Sequence, residues 1–129
     1  MTIADTDVLI DFLAGAEPAA GWVGLELENG HLHTTVITRF ELLAGAHTKR
    51  QKAAVSTLLA ALPALPLDEA AADRAARVRR ALESKGGPIG MADSLIAGIV
   101  LQSGGKLLTR NVRHFERVEG LTLASVPQP

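Results

Sequence analysis

Short apolar runs alternate along the chain with segments of helical periodicity. Helical spacing joins Val55, Leu58, Leu59 and Leu62 in one segment, and Ala71, Ala75, Val78 and Leu82 in another. The strand-like runs are Thr2 to Ala4, His31 to Ile37, Leu65 to Leu67, Lys106 to Thr109 and Leu121 to Val126. This alternation predicts an α/β fold, in which helices cover both faces of a mainly parallel sheet of about five strands.

Capping and helix-breaking residues mark the limits of the second helical segment. Asp68 precedes it at the position of an N-cap, and Gly86-Gly87-Pro88 follows it, where a helix cannot continue. No internal repeat, linker or low-complexity tract divides the chain. We therefore expect a single domain over residues 1–129, with a loosely packed tail at Val126-Pro127-Gln128-Pro129.

The composition limits the chemistry that the chain can perform. With 129 residues, 47% of them hydrophobic, the chain can bury a core without a disulfide or structural metal. The absence of cysteine excludes disulfides, thiolate zinc sites, iron–sulfur clusters and cysteine nucleophiles. Asp5, Asp7 and Asp11 interrupt the apolar N-terminus, and no apolar run reaches the roughly 18 residues of a spanning helix. We expect a soluble, cytoplasmic protein with no membrane partner.

Charge is distributed unevenly along the chain. The net charge of −1 gives no overall basic field that would hold nucleic acid. The acids Asp5, Asp7, Asp11, Glu17, Glu26 and Glu28 all precede the first arginine, Arg39. The other basic residues cluster between Lys49 and Arg117. This distribution predicts an acidic spot framed by basic surface.

Two acids stand at the end of the first strand-like run. Asp5 follows Ala4 directly, and Asp7 comes two residues later, where we predict that a helix begins. Asp7 is interpreted as the N-cap of that helix, since Asp is preferred there. Asp5 lies between apolar segments, where a carboxylate without a partner loses much solvation energy. Because ligands of open α/β sheets bind at the carboxyl ends of the strands, Asp5 is a candidate functional residue.

Two further acids lie beside apolar residues on helical segments. Glu41 shares a helix face with Ile37, although Thr38 and Glu41 also fit a T-x-x-E capping box. Asp93 lies on an apolar stripe with Ile96, although an acid in the first turn of a helix also complements the helix dipole. An acid on an apolar face needs a partner. Both residues are therefore candidates for the same site as Asp5.

A cation would stabilise such a group of acids. Converging carboxylates repel one another unless a positive charge neutralises them. Asn111, just after the strand predicted at Lys106 to Thr109, forms a turn or donates a neutral oxygen to that site. Oxygen ligands without cysteine favour Mg²⁺ or Mn²⁺ over zinc. The histidines are interpreted as surface residues that share no metal: His31, His33, His47 and His114.

Four motifs resemble, in order, those of the PIN-domain proteins, most closely the VapC-type toxins. They are Ile3-Ala4-Asp5-Thr6-Asp7-Val8-Leu9, Thr38-Arg39-Phe40-Glu41-Leu42 with Gly45, Asp93-Ser94-Leu95-Ile96-Ala97, and Thr109-Arg110-Asn111-Val112-Arg113-His114-Phe115. Each motif is weak alone. Four in order, spread over essentially the whole chain, make a specific signal.

The resemblance implies a three-layer α/β/α fold and a metal-dependent endoribonuclease toxin of a type II toxin–antitoxin system. Asp5, Glu41 and Asp93 would be the catalytic, metal-binding carboxylates, with Mg²⁺ as the expected cofactor and Mn²⁺ as the alternative. Asn111 stands where many relatives carry a fourth catalytic acid, which leaves the number of metal ions open. The supporting residues would be Thr6, Asp7 and Thr109.

The resemblance also implies an RNA substrate, tRNA or rRNA, a cognate antitoxin and a homodimer. Trp22, Val23, Leu25 and Leu27 offer an apolar groove for a partner helix, unless they pack into the core. The candidates for holding the RNA backbone are Arg110, Arg113 and Arg117, or Arg74, Arg77, Arg79 and Arg80 on the long helix. A solvated helix face is the alternative interpretation of these arginines.

Three other functions stay open at the level of sequence. A catalytically degenerate PIN module that binds RNA or a protein partner is favoured by Asn111. Asp5-Thr6-Asp7 fits the DxD motif of haloacid-dehalogenase-like phosphatases, although the lysine and the paired acidic motif of that class do not follow. A receiver domain phosphorylated on Asp68 is the third, although Thr109-Arg110 lacks the expected lysine.

Overall fold

Five short strands form one parallel sheet. The computed structural model describes residues 1–126. The strands are β1 (Thr2–Ala4), β2 (Leu32–Thr35), β3 (Ala64–Leu65), β4 (Lys106–Leu108) and β5 (Thr122–Leu123), in the spatial order β3-β2-β1-β4-β5. Each neighbouring pair is parallel. The predicted parallel sheet of five strands is confirmed.

Most of the strands are shorter than the apolar runs that predicted them. The second run ends early because Val36 and Ile37 already belong to a helix, and the last run forms strand only at Thr122–Leu123. The loosely packed tail was predicted for residues 126–129. Of these, residues 127–129 lie outside the part of the chain that the structure describes.

Seven helices occur within residues 1–126. They are α1 (Thr6–Ala14), α2 (Ala19–Asn29), α3 (Val36–Gly45), α4 (Lys49–Ala60), α5 (Glu69–Ser84), α6 (Met91–Ser103) and α7 (Val112–Phe115). Within the same residues, no single helix is long and apolar enough to cross a membrane, and α1 and α2 reach that length only as a pair bent by 98°.

The helix caps confirm one prediction and correct two. Asp68 caps α5, since its Oδ1 accepts a hydrogen bond of 2.8 Å from the backbone of Ala71. The predicted cap of α1 by Asp7 is wrong, because the extended residue Asp5 already accepts from the Thr6 backbone. The capping box at Thr38 is also wrong: α3 begins earlier, and the Thr35 hydroxyl caps it.

Strand side chains alternate across the sheet and supply a separate core on each face. Ala4 and Leu108 pack with residues of α1, α2 and α4, whereas Ile3 and Leu107 pack with residues of α5 and α6. Helices therefore cover both faces of the sheet. The predicted three-layer architecture is confirmed.

Most of the proposed partner groove on α2 belongs to the first core. Val23 is fully buried there, and Trp22 and Leu27 pack against the same core. Only Leu25 of this set stays exposed, at 52%. Three of the four side chains therefore pack into the core, the alternative that the sequence left open for them, because they face the sheet side of the helix.

A close helix contact holds the second core together. Gly98 of α6 faces Ala71 and Ala75 of α5. A Cβ atom at residue 98 would lie 2.5 Å from the carbonyl oxygen of Ala71 and 2.7 Å from the Cβ of Ala75. Glycine is therefore the residue that allows the backbones of α5 and α6 to approach this closely.

We predict that Gly98→Ala destabilises the fold by about 1–3 kcal/mol, because the new methyl group must force the two helices apart. Gly45→Ala is the matched control, since nothing lies within 4 Å of a Cβ at that position. Urea unfolding followed by circular dichroism measures both variants. Equal stability of Gly98→Ala and the unmodified protein would contradict this description of the contact.

Candidate active site

The site lies where the direction of chain progression through the sheet reverses. From β1 the chain proceeds through β2 to β3 on one side, whereas β4 and β5 lie on the other side of β1. In open α/β sheets, the crevice outside the carboxyl ends of the strands at such a reversal is the usual ligand site. Asp5 follows β1 and Thr109 follows β4 at this crevice.

Asp5 is a buried carboxylate held by two hydrogen bonds. Its side chain is among the buried polar groups, at 5% exposure. Oδ1 accepts from the Thr6 backbone at 2.8 Å, and Oδ2 accepts from the Thr109 hydroxyl at 2.7 Å. Burial, then the charge of Asp7 and more weakly that of Asp93, raises the pKa of Asp5 to about 7, against the lowering effect of the two hydrogen bonds.

Asp7 lies beside Asp5 and shares its hydroxyl partner. Its Oδ2 accepts from the Arg110 backbone at 3.0 Å and lies 3.4 Å from the Thr109 hydroxyl, whose single proton is donated to Asp5. Its Oδ1 is buried and has no hydrogen-bond partner within residues 1–126. Burial raises the pKa of Asp7 as well. Thr109 thus contacts two carboxylates whose charge the protein compensates incompletely.

Glu41 reaches the site through Thr6. The Thr6 hydroxyl lies 2.7 Å from Glu41 Oε1 and 3.0 Å from the Thr38 hydroxyl. A hydroxyl has one proton and a carboxylate only accepts, so Thr6 donates to Glu41 and accepts from Thr38. Thr6 therefore fixes one carboxylate oxygen of α3 relative to the first turn of α1.

Asp93 approaches the site from the first turn of α6. Its Oδ2 lies 3.3 Å from His114 Nδ1, and the same ring nitrogen lies 2.8 Å from Asn111 Nδ2. Nδ1 can donate to Asp93 or accept from Asn111, according to its tautomer. The Asn111 backbone donates to the Thr109 hydroxyl at 3.0 Å. His114 thus joins Asp93 to the segment that follows β4.

His114 is a surface residue, as predicted, but it also contacts the site, which was not predicted from the sequence. Its side chain is 47% exposed, yet it contacts both Asp93 and Asn111. The Asn111-x-x-His114 spacing, which places both residues on one side of the short helix α7, is the signal in the sequence that could have found it. His31, His33 and His47 make no contact with these carboxylates among the hydrogen bonds of residues 1–126.

The arginines after β4 are not equivalent. Arg110 forms an ion pair with Asp11, 2.6 Å between Nε and Oδ2, so a carboxylate already partly neutralises it. Arg113 is exposed. Arg117 donates to two backbone carbonyls, those of Gly87 and Arg113. Of the predicted backbone-binding arginines in this segment, Arg110 is therefore the least available.

The donor set fits a hard divalent cation held by few protein ligands. Within residues 1–126, no group of three or more His, Cys, Asp or Glu side chains is gathered tightly enough to hold a metal ion by itself. Mg²⁺ commonly binds through one or two carboxylates and keeps several waters. The unpartnered Oδ1 of Asp7 and the raised pKa of Asp5 are both features that a nearby cation would compensate.

The three-layer α/β fold, with carboxylates at the carboxyl ends of the central strands, defines the class of this protein. The family model of the PIN domain matches residues 2–121. The chain belongs to the PIN domain family. The tRNA(fMet)-specific endonuclease VapC of Shigella flexneri is 32% identical to it, over 91% of each chain. Ribonuclease VapC10 of Mycobacterium tuberculosis is 34% identical, over 94% of this chain and 90% of the relative.

Solved structures of VapBC complexes share the fold. A DNA-bound VapBC from Salmonella typhimurium superimposes with a TM-score of 0.82 at 28% identity, covering 95% of this chain and 96% of that one. VapBC-1 of nontypeable Haemophilus influenzae gives a TM-score of 0.79 at 27% identity, with the same coverage. The resemblance to PIN-domain proteins is confirmed. The phosphatase and receiver interpretations are wrong, and Asp68 is a helix cap.

We predict that the metal-free protein loses stability as the pH rises from about 4 to about 7. Asp5 keeps its proton in the folded state up to about 7, whereas in the unfolded chain it loses it near 3.8. The folded state then binds more protons, so each pH unit in this window lowers the unfolding free energy by about 1.4 kcal/mol. Asp5→Asn should make this dependence shallower and leave only the part that comes from Asp7, whose pKa burial also raises. Urea unfolding in EDTA at a series of pH values measures both slopes. An equal slope for both proteins would contradict the assignment to Asp5.

Proposed function

We propose that the chain is a metal-dependent endoribonuclease toxin of a type II toxin–antitoxin system, which hydrolyses RNA phosphodiester bonds at the carboxyl ends of β1 and β4. The observation that carries this proposal is the Asp5 carboxyl group, buried at the reversal of the sheet and held by Thr109 beside Asp7. Its relatives at 32% and 34% identity are named as an endonuclease and a ribonuclease. An RNA substrate and an antitoxin would place the activity in the cytoplasm.

Asp5, Glu41 and Asp93 are the residues that we assign to a divalent cation, Mg²⁺ or in its place Mn²⁺. Because the three are not gathered tightly enough to hold the ion by themselves, some of them would reach it through its waters. Such an ion, when bound, supplies Lewis acidity, which lowers the pKa of water and balances charge on the phosphoryl oxygens. The three carboxylates are not the nucleophile in this proposal. Asn111 brings a neutral amide to the fourth catalytic position, which favours one firmly held ion over two.

The supporting residues orient these carboxylates. Thr109 fixes Asp5 Oδ2 and contacts Asp7, and Thr6 fixes Glu41 Oε1. Asp7 also holds the backbone of Arg110, so it anchors the segment after β4 to α1. Each of these contacts fixes a carboxylate oxygen before substrate arrives, which reduces the reorganisation that the reaction requires.

The apolar groove beside Glu41 is the surface that we assign to the antitoxin. This cavity of about 400 Å³ is lined by residues of α1, α3 and α4, among them Ile10, Leu13, Leu42, Val55 and Glu41 itself. An amphipathic helix can place its apolar face in such a groove. Since Glu41 lines the groove, a helix seated there would block RNA from the carboxylates. The homodimer expected from the resemblance stays a prediction.

We predict that the purified chain, free of antitoxin, cleaves RNA only with Mg²⁺ or Mn²⁺ present. The Shigella relative is named as specific for tRNA(fMet), so tRNA is the first substrate to test and rRNA the second. Asp5→Asn, Glu41→Gln and Asp93→Asn should each lower cleavage by more than the roughly 10–100-fold typical of residues that only support a metal ligand. Gel analysis of the fragments, with EDTA as the metal-free arm, measures this.

Glu28→Gln is the control for these variants, since Glu28 is an exposed acid on α2. We expect this variant to cleave RNA at the same rate as the unmodified protein. Metal-independent fragments that persist in Asp93→Asn would indicate a contaminating nuclease. No cleavage by the folded protein with either metal would favour the degenerate PIN module, in which Asn111 accounts for the lost activity.

We predict that Thr6→Val weakens Mn²⁺ binding and RNA cleavage together, by roughly 10–100-fold, because Glu41 loses the donor that orients it. Thr6→Ser keeps the hydroxyl group and should restore both. Calorimetric titration with Mn²⁺ provides a measurement independent of cleavage. Normal Mn²⁺ affinity in Thr6→Val would show that Thr6 does not position a metal ligand.

A further inference from the structure

A basic cleft lies along α5, apart from the carboxylates. It has a volume of about 220 Å³ and lies between α5 and the residues that follow α7. Its lining also includes one acid, Glu119, and the apolar residues Val78, Leu82, Leu101 and Val118. The basic residues that line it are Arg74, Arg77, Lys85 and Arg117.

Two of these cations are oriented by neutral groups. Arg74 Nε donates to Gln102 Oε1 at 2.8 Å. Arg117 Nη1 donates to the Gly87 carbonyl at 2.9 Å, and Arg117 Nε to the Arg113 carbonyl at 3.2 Å. A Cβ at residue 87 would overlap the Arg117 guanidinium, so the glycine leaves room for this contact. Neutral acceptors fix a guanidinium in place and leave its charge uncompensated.

Another arginine of the same helix already has a carboxylate partner. Arg79 of α5 pairs with Glu83 at 3.1 Å, as Arg110 pairs with Asp11. Within residues 1–126, none of the four cleft cations has a carboxylate partner at ion-pair distance. In a chain of net charge −1, this concentration of uncompensated positive charge indicates an anionic ligand.

The cleft continues toward the carboxylate site. Lys85 and Gly87 lie on the segment that leads into α6, whose first turn carries Asp93. Arg117 follows α7, whose His114 contacts Asp93. An extended anion lying along α5 would therefore leave the cleft between the two segments that hold Asp93.

We propose that this cleft binds the sugar–phosphate backbone of the RNA substrate, an inference that rests on the proposed function. Residues 74 to 85 span about 16 Å of helix, at 1.5 Å per residue. A stacked strand carries one phosphate about every 3.4 Å, so several phosphates match the row of cations. With no Tyr and only 3% aromatic residues, the chain is poor in base-stacking groups, which favours backbone contacts.

The test measures how RNA binding depends on salt in Arg77→Gln/Lys85→Gln. Neither side chain makes a hydrogen bond or ion pair within residues 1–126, so its loss should leave the fold intact. A fluorescent single-stranded oligoribonucleotide is titrated in EDTA, which keeps binding separate from cleavage. Two lost phosphate contacts should reduce the slope of log K against log salt by about 1.4, and weaken binding roughly tenfold near physiological salt.

Lys49→Gln/Lys52→Gln is the matched control, since it removes two exposed charges from α4 on the other face of the sheet. We expect its slope to equal that of the unmodified protein. An unchanged slope in Arg77→Gln/Lys85→Gln, or an equal fall in the control, would overturn the proposal and leave the cleft to an acidic protein segment. Cleavage of RNA with Mg²⁺ is assayed separately. If the unmodified protein does not cleave RNA but the salt slopes change as expected, only the proposed function is contradicted. If it cleaves RNA but the slope of Arg77→Gln/Lys85→Gln is unchanged, only this inference is contradicted.

Discussion

The hydrogen bond between Thr109 and Asp5 is the interaction on which the site depends. It joins the residues that follow β4 and β1, the two neighbouring strands at which the sheet reverses direction. The same hydroxyl accepts from the Asn111 backbone and contacts Asp7. One threonine thus sets the position of two carboxylates and of the turn into α7. Because Asp5 is buried, these contacts hold it where its charge is costly and a cation is favoured.

The fold was predictable because a parallel sheet buries both faces of its strands. Each central strand then appears in the sequence as a continuous apolar run. In β1 and β4, one residue of a neighbouring pair packs into each core: Ala4 and Leu108 into the first, Ile3 and Leu107 into the second. The exact ends of the strands and helices were harder to predict from the sequence. The apolar run at β2 continues into Val36 and Ile37, and only the Thr35 cap, a local hydrogen bond, decides where the strand ends and α3 begins.

The site could be predicted from sequence only where an acid lies between apolar residues and is therefore expected to be buried. Asp5 is out of place between apolar segments, and the structure buries it. The role of Asp7 was misjudged, because its partners, Thr109 and Arg110, are about a hundred residues away in sequence. His114 was missed for the same reason: its contact with Asp93 depends on how α6 packs against the turn after β4. Local periodicity carries no information about such pairs.

The contact at Gly98 also connects the basic cleft with the carboxylates. It presses α5, whose outer face carries the cleft cations, against α6, whose first turn carries Asp93. If the cleft binds RNA as proposed above, the packing of these two helices sets the separation between a phosphate held by the cleft and the carboxylates. A nuclease with this proposed attachment point would act as a molecular ruler, because the bond that it cuts would lie a set number of nucleotides from the phosphate held by the cleft.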